Sequence, residues 1–138
     1  MPFIAEDLGS IDEAVWSLKA DIDVPGMLVL PFAFEDGSES EHLPAHHTKA
    51  SVVYTGTHDT DTIVGWWSSL PENLRDYVRR YLAVDGQDVA WDFIRLALSS
   101  VATLAVIPLQ DILALGSEAR MNTPATIEGN WAWRTPSL

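Results

Sequence analysis

Cysteine is absent from the 138 residues of this chain, which excludes disulfide bonds and thiolate metal sites. Basic residues are scarce as well, since eight Lys and Arg stand against 20 Asp and Glu and leave a formal net charge of −12. Nucleic acid phosphates and anionic membranes both require a basic surface on the protein that binds them. We therefore expect neither nucleic acid nor a membrane as a partner, whereas a neutral sugar would be indifferent to this charge.

Long apolar runs are also missing from the sequence. No stretch approaches the roughly 18 consecutive apolar residues of a membrane-spanning helix. The first residues, Met1–Ile4, lack the basic segment and the long apolar stretch of a secretory signal peptide. These absences predict a cytoplasmic protein. Its hydrophobic fraction of 47%, with six Trp, indicates a folded core rather than a disordered chain.

Four short apolar runs have the length of buried strands, at residues 2–5, 27–32, 51–54 and 104–109. Because the runs are continuous and are separated by helices or long connections, they indicate a buried parallel sheet. A complete (β/α)8 barrel needs roughly 250 residues. The sequence therefore predicts an α/β fold, a partial (β/α)8 TIM barrel with four parallel strands, and residues 1–138 would be an incomplete domain.

Helices are predicted between these strands. A capping box that begins at Ser10 predicts a helix over residues 11–20. Ser69 is a candidate N-cap for a second amphipathic helix that reaches Leu82. A third helix is predicted over residues 88–102.

Three of the four predicted strands are followed by polar pairs: Glu6-Asp7, His58-Asp59 and Gln110-Asp111. In a (β/α) barrel the carboxyl ends of the strands carry the active site, so these pairs are candidate catalytic or binding residues. The pair Glu6 and Asp7 also fits a second interpretation. Acids are stabilised near the N-terminus of a helix, and a helix is predicted directly after them.

Residues 55–62, TGTHDTDT, admit three interpretations. His58, Asp59 and Asp61 are potential metal ligands, although neighbouring residues of an extended chain point to opposite faces, so that a metal site would need a sharp turn. An Asp beside a His also suits a sugar, because the carboxylate accepts two hydrogen bonds from hydroxyls and the imidazole donates one. Alternatively, the Asp and Thr side chains bond only the backbone of their own loop.

The tryptophans also have two possible roles. Trp66, Trp67, Trp131 and Trp133 could stack on sugar rings, but aromatic residues serve as packing surface far more often. We expect a packing role for most of them.

Four segments resemble motifs of one enzyme family, in the same order along the chain: residues 4–9 (IAEDLG), 25–34 (PGM, then FAF), 52–59 (VVYTGTHD) and 120–134 (RMNTP, then GNWAWR). The family is that of the amylomaltases, or 4-α-glucanotransferases. Each segment is short, but together they span nearly the whole chain. The resemblance implies that the chain is roughly the C-terminal half of the family's α-amylase-like (β/α)8 barrel.

The resemblance further implies a retaining, double-displacement transfer of α-1,4-glucan segments between maltooligosaccharides, with no metal or other cofactor. It assigns acid/base catalysis to Glu6, transition-state stabilisation to Asp59, and substrate binding to His58 and Asn122. The family's nucleophilic Asp lies on an earlier strand, which this sequence lacks, so the chain alone is expected to be inactive. The implied partners are α-1,4-glucans and either the missing N-terminal barrel half or a second copy of the chain.

Three positions depart from the family motifs: Pro31 replaces a Gln, Thr60 an Asn and Ala125 a Gly. These changes indicate a divergent member or altered acceptor subsites, and they leave Glu6 and Asp59 in place. Two other functions stay open. The chain could be a non-catalytic or degenerate α-glucan-binding barrel fragment, or it could be a metal-dependent hydrolase that uses the His and Asp residues of the 55–62 segment.

Overall fold

The computed structural model describes residues 3–9, 11–35, 37 and 39–135. Its sheet has three parallel strands in the order β1-β2-β3, which are β1 (Gly26–Val29), β2 (Ser51–Tyr54) and β3 (Leu104–Val106). Five helices accompany the sheet: α1 (Glu13–Ile22), α2 (Ile63–Ser69), α3 (Glu72–Leu82), α4 (Val89–Leu98) and α5 (Leu109–Ile112). The predicted α/β class with parallel strands is therefore confirmed.

The core lies between the sheet and helices α2, α3 and α4. Val53 of the central strand is fully buried, as are Ile63 of α2, Val78 of α3 and Phe93 of α4. The Phe93 ring contacts Trp66 edge-on, with the ring centroids 5.3 Å apart. Burial of one large apolar side chain stabilises the fold by about 1.5–3 kcal/mol, so these residues hold the helices on the sheet.

The connection from β1 to β2 is held by two buried imidazoles. His42 Nδ1 accepts a hydrogen bond from the amide of Val29 (3.2 Å). His47 Nε2 donates to the His42 carbonyl (2.9 Å), and its Nδ1 accepts from the Ser100 hydroxyl (2.7 Å). Burial lowers the pKa of His47, which favours the neutral form that this hydrogen-bond pattern requires.

The predicted count of four strands is wrong for the part of the chain that the structure describes. Residues 3–8 form no strand, and Pro2 lies outside the described residues. The amide of Ala5 donates to the Pro25 carbonyl (2.9 Å), but two residues later the Asp7 carboxylate accepts from the amide of Met27 (2.8 Å). A side chain thus occupies the donor that a neighbouring strand would have used.

Two predicted strands are shorter than their apolar runs, and in both a proline follows the strand end. β1 ends at Val29, and a 3-10 helix (Leu30–Phe34) with Pro31 in its first turn follows it. β3 ends at Val106, and Pro108 is the N-cap of α5. Proline has no amide hydrogen to donate to a sheet, so apolar composition alone overestimates both strands.

Helix boundaries differ from the predictions where a different residue forms the cap. α1 begins at Glu13, because the Asp12 side chain accepts from the amide of Val15 (2.9 Å), and Ser10 lies outside the described residues. Ser69 ends α2 rather than capping α3, and its hydroxyl donates to the Trp66 carbonyl (2.7 Å). The sequence did not predict α2. Its N-cap is Thr62, whose hydroxyl accepts from the amide of Gly65 (3.0 Å).

α3 starts at Glu72, and α4 ends at Leu98 rather than at residue 102. None of these helices, within the described ranges, is both long enough and apolar enough to cross a membrane.

Both outer strands of the sheet are edges within the described residues, since only β2 has a neighbour on each side. Large apolar side chains are exposed next to each edge. Before β1 these are Phe3, Ile4, Val15, Leu18 and Ile22, and around β3 they are Leu98, Val101, Leu104, Leu109 and Ile112. Unpaired edges flanked by apolar surface favour association with another chain.

We expect the isolated chain to self-associate, because two strand edges and their apolar flanks have no partner within the described residues. Light scattering at micromolar concentration should give the mass of a dimer or a larger species. Leu104→Lys, which puts a charge on the β3 edge, should shift the mass toward the monomer. A monomer of the parent chain at every concentration tested would contradict this expectation.

Candidate active site

A cleft of about 440 Å³ opens at the carboxyl ends of β2 and β3. Distant parts of the chain line it, with side chains that include Glu6, Tyr54, His58, Asp111, Arg120 and Trp131. Two of the four predicted site residues, Glu6 and His58, thus lie on one cleft although they come from separate segments.

The adjacent carboxylates of Glu6 and Asp7 diverge. Asp7 is buried, forms an ion pair with Lys19 and accepts from the amide of Met27 (2.8 Å). A Cβ on Gly26 would overlap this carboxylate, so only glycine fits beneath it. Glu6 is exposed on the cleft wall. Neither acid lies in the first turn of α1, so the interpretation as a helix N-terminal pair is wrong.

The loop that follows β2 is shaped by its own threonines. The amide of Thr57 donates to the Thr60 hydroxyl (2.9 Å), which donates in turn to the Thr57 carbonyl (3.2 Å). Thr60, one of the three departures from the family motifs, therefore closes the turn that carries His58 and Asp59. About half of each of these two side chains is exposed.

Asp59 lies beside the cleft and is held by the chain's last segment. Its Oδ1 accepts from Asn122 Nδ2 (2.6 Å) and is 3.4 Å from His58 Nε2. Its backbone carbonyl accepts from the Arg120 guanidinium (2.7 Å), which also donates to the Asn122 carbonyl (2.8 Å). The structure thus brings His58, Asp59 and Asn122 into contact, with Arg120 as the link to the cleft wall.

The tryptophans divide between the two roles. Trp66 packs in the core, with its indole nitrogen donating to Glu35 (2.8 Å), and Trp67 packs against the same core. Trp131 is 56% exposed and lies over His58, with the ring centroids 5.2 Å apart and the planes inclined by 33°. Trp131 is therefore the one of these three placed to contact a ligand in the cleft.

The potential metal ligands do not converge. Asp61 accepts from the Ser117 hydroxyl (2.6 Å) and from the amide of Thr62 (2.8 Å), so both of its oxygens are engaged. Throughout the described part of the chain, no group of three His, Cys, Asp or Glu side chains is arranged to hold a metal ion. The metal interpretation of His58, Asp59 and Asp61 therefore has no formed ligand set.

Two residues of the cleft were not predicted as site residues. Asp111 is 1% exposed, and burial raises its pKa although Thr55 and the Ile63 amide donate to it. Burial also raises the pKa of Tyr54, and the nearby Glu6 carboxylate adds to that shift. The position of Asp111 directly after an apolar run was the available signal. For Tyr54 the corresponding signal was its place at the end of β2.

Ala125 occupies a turn that ordinarily requires glycine. Its φ is +63°, Pro124 precedes it, and the amide of Thr126 donates to the Thr123 carbonyl (3.3 Å). This is the pattern of a type II turn, whose third position has a positive φ. The sequence-based concern about the replacement of glycine by Ala125 is therefore confirmed: the backbone here is left-handed.

The chain matches known proteins along its length. The family model for glycoside hydrolase family 77, described as 4-alpha-glucanotransferase, matches residues 1–138. The chloroplastic/amyloplastic 4-alpha-glucanotransferase DPE1 of Arabidopsis thaliana is 53% identical over 135 residues, which are 97% of this chain and 23% of the relative. The 4-alpha-glucanotransferase of Thermus thermophilus is 48% identical over 142 residues, 97% of this chain and 28% of the relative. The chain thus spans about a quarter of the length of these curated relatives.

Solved structures agree with these matches. The amylomaltase from Streptococcus agalactiae in complex with acarbose superposes with a TM-score of 0.94 at 33% identity, covering 99% of this chain and 28% of that one. The amylomaltase from Corynebacterium glutamicum gives a TM-score of 0.64 at 14% identity, covering 93% of this chain and 24% of that one, and is similar in fold alone.

Replacing Ala125 with Gly should leave the protein as stable as before or make it more stable, by up to about 1 kcal/mol. Glycine removes the strain at φ +63° but adds freedom to the unfolded chain. Ala20→Gly, inside α1, is the matched control and should cost about 1 kcal/mol. Urea unfolding of the three proteins at equal concentration measures both effects. Equal losses in the two variants would refute the strained turn.

Proposed function

The chain belongs to the 4-alpha-glucanotransferase family, and we propose that it supplies the acid/base and sugar-binding side of an active site that transfers α-1,4-glucan segments between maltooligosaccharides. The observation that carries the proposal is the cleft on which Glu6 and His58 lie together. The side chains that resemble the family's site residues are those gathered in and beside this cleft.

In the proposed mechanism Glu6 is the acid/base. Its exposed carboxyl on the cleft wall donates a proton to the glycosidic oxygen while a nucleophile displaces that oxygen at the anomeric carbon. In the second step the Glu6 carboxylate takes the proton of an acceptor sugar hydroxyl, whose oxygen displaces the nucleophile and restores the configuration. Transfer rather than hydrolysis requires a sugar to outcompete water at this second step.

Asp59 is proposed to bind hydroxyls of the reacting ring and to favour its oxocarbenium-like form. Support comes from its surroundings, since Asn122 Nδ2 holds Oδ1 (2.6 Å) and leaves Oδ2 for the sugar. His58, under the Trp131 ring, would donate a further hydrogen bond that strengthens in the transition state. Asn122 is proposed to bind substrate through its remaining side-chain oxygen.

The nucleophile must come from elsewhere in the complete active site. Besides Glu6, the acids that line the cleft are Asp61 and Asp111, and each oxygen of both already accepts a hydrogen bond. A retaining glycosidase needs a second carboxylate about 5 Å from the acid/base. We therefore propose that residues 1–138 form the C-terminal half of a (β/α)8 barrel whose other half carries the nucleophile. The match to about a quarter of each relative supports this division.

The proposed ligands are α-1,4-glucans, because the Streptococcus agalactiae amylomaltase was solved with acarbose, an α-glucan analogue. Carboxylates acting on a neutral sugar need no cofactor in this mechanism. The cytoplasm remains the proposed location, although the Arabidopsis thaliana relative is named for plastids.

The roles of Glu6 and Asp59 can be tested in a chimera in which this chain replaces the matching segment of the Arabidopsis thaliana relative. Glu6→Gln should lower kcat by roughly 10²–10⁴-fold, because an amide cannot exchange the proton. Asp59→Asn should lower mainly kcat, since the lost interaction strengthens in the transition state. Glu13→Gln, on α1 outside the cleft, is the control and should keep parental rates. A kcat near the parental value in either site variant would reject its role.

The isolated chain should produce neither glucose nor longer oligomers from maltotriose, because the cleft offers no carboxylate for the nucleophilic step. Thin-layer chromatography compares the chain with the chimera, which should be active. Disproportionation by the chain alone would mean that the nucleophile is misassigned. A chimera that binds maltooligosaccharides without transferring them would instead support the glucan-binding alternative.

A further inference from the structure

A buried carboxylate lies at the base of the cleft, and the proposed mechanism does not use it. Asp111 belongs to α5, which begins three residues after β3 ends. It lines the cleft but is only 1% exposed. Burying a carboxylate costs free energy, and apolar residues often replace buried charges without loss of stability. A role other than stability is therefore worth seeking for this side chain.

The two oxygens of Asp111 accept from the two ends of one loop. Oδ2 accepts from the hydroxyl of Thr55 (2.6 Å), the residue directly after β2. Oδ1 accepts from the amide of Ile63 (2.8 Å), the first residue of α2. Both donors are fully buried. Asp111 thus joins the start and the end of the 56–62 loop to the end of β3.

The other hydrogen bonds of this loop do not attach it to the sheet. Thr57 and Thr60 bond each other and set the loop's internal shape. Asp59 and Asp61 bond residues of the later segment, among them Ser117. An added Cβ on Gly56 would be 2.9 Å from the Thr60 hydroxyl and 3.8 Å from Asp111 Oδ2, so the loop folds closely over the carboxylate.

Because each Asp111 oxygen already accepts a hydrogen bond and the side chain is almost fully buried, a direct contact with a sugar is disfavoured. We propose that Asp111 is a positioning residue that holds both ends of the 56–62 loop, and thereby sets where His58 and Asp59 stand in the cleft. The catalytic part of this proposal rests on the proposed function, but the structural part does not. Burial raises the pKa of Asp111, in keeping with a group that is held for its hydrogen bonds and not for exchange with solvent.

Asp111→Asn and Asp111→Ala separate positioning from direct catalysis. Asn has the same shape, its oxygen can accept from the Ile63 amide, and its NH2 can donate to the Thr55 hydroxyl, so it should preserve the loop. Ala removes both attachments. Asp92→Asn, another buried acid, lies on α4 outside the cleft and serves as the matched control. Thr55→Val removes one attachment only.

Hydrogen–deuterium exchange of this chain measures the loop without reference to activity. In Asp111→Ala the exchange of peptides covering residues 56–62 should rise about tenfold or more, whereas peptides of β2 and α4 should be unchanged. Asp111→Asn and Asp92→Asn should match the parent within about threefold. Unchanged loop exchange in Asp111→Ala would overturn the proposal. If Asp111→Ala exchanges throughout, Thr55→Val decides by the same criterion.

Kinetics of the same variants in the chimera test the catalytic consequence. Displacing a catalytic loop should lower kcat about tenfold or more in Asp111→Ala, with KM within about threefold, and Asp111→Asn should restore kcat. If Asp111→Asn loses kcat as severely while its loop exchange is normal, the carboxylate acts directly and positioning is refuted. A parent chimera without transferase activity would refute the proposed function, and the exchange data would still decide the role of Asp111.

Discussion

The pairing of β2 on both sides is the constraint on which the rest of the structure depends. β2 runs parallel to β1 and β3, so no short turn can join neighbouring strands and each connection must cross the sheet. Those crossings carry the helices that bury Val53 and Phe93 in the core. The same alignment puts the ends of β2 and β3 level, with Tyr54 opposite Val106, and the cleft opens there.

The acidic residues around this cleft fall into two classes that their environment separates. Asp7 and Asp111 are buried, and each oxygen accepts from a neighbour, so they hold segments of the chain together. Glu6 and Asp59 remain accessible to solvent. Adjacent residues of the chain thus have different roles: Asp7 attaches the first segment to β1, and Glu6 stays available to a ligand.

The last segment of the chain completes the site rather than forming a separate tail. Arg120 and Asn122 hold Asp59 by its backbone and its side chain, and Trp131 covers His58. The amide of Trp131 donates to the Met121 carbonyl (2.7 Å), so the covering ring is tied to the segment that holds Asp59. Family motifs that are far apart in the sequence therefore act here as one unit.

The sequence by itself determined the α/β class, the parallel strands, most of the helices and the candidate residues Glu6, His58, Asp59 and Asn122, because apolar periodicity and short motifs are local. Only the tertiary structure decided that the first apolar run is not a strand, that Asp7 is buried while Glu6 is exposed, and that Asp111 attaches the catalytic loop. The physical reason is the same in each case. A hydrogen bond such as Thr55 to Asp111 joins residues far apart in the sequence, so no local pattern contains it.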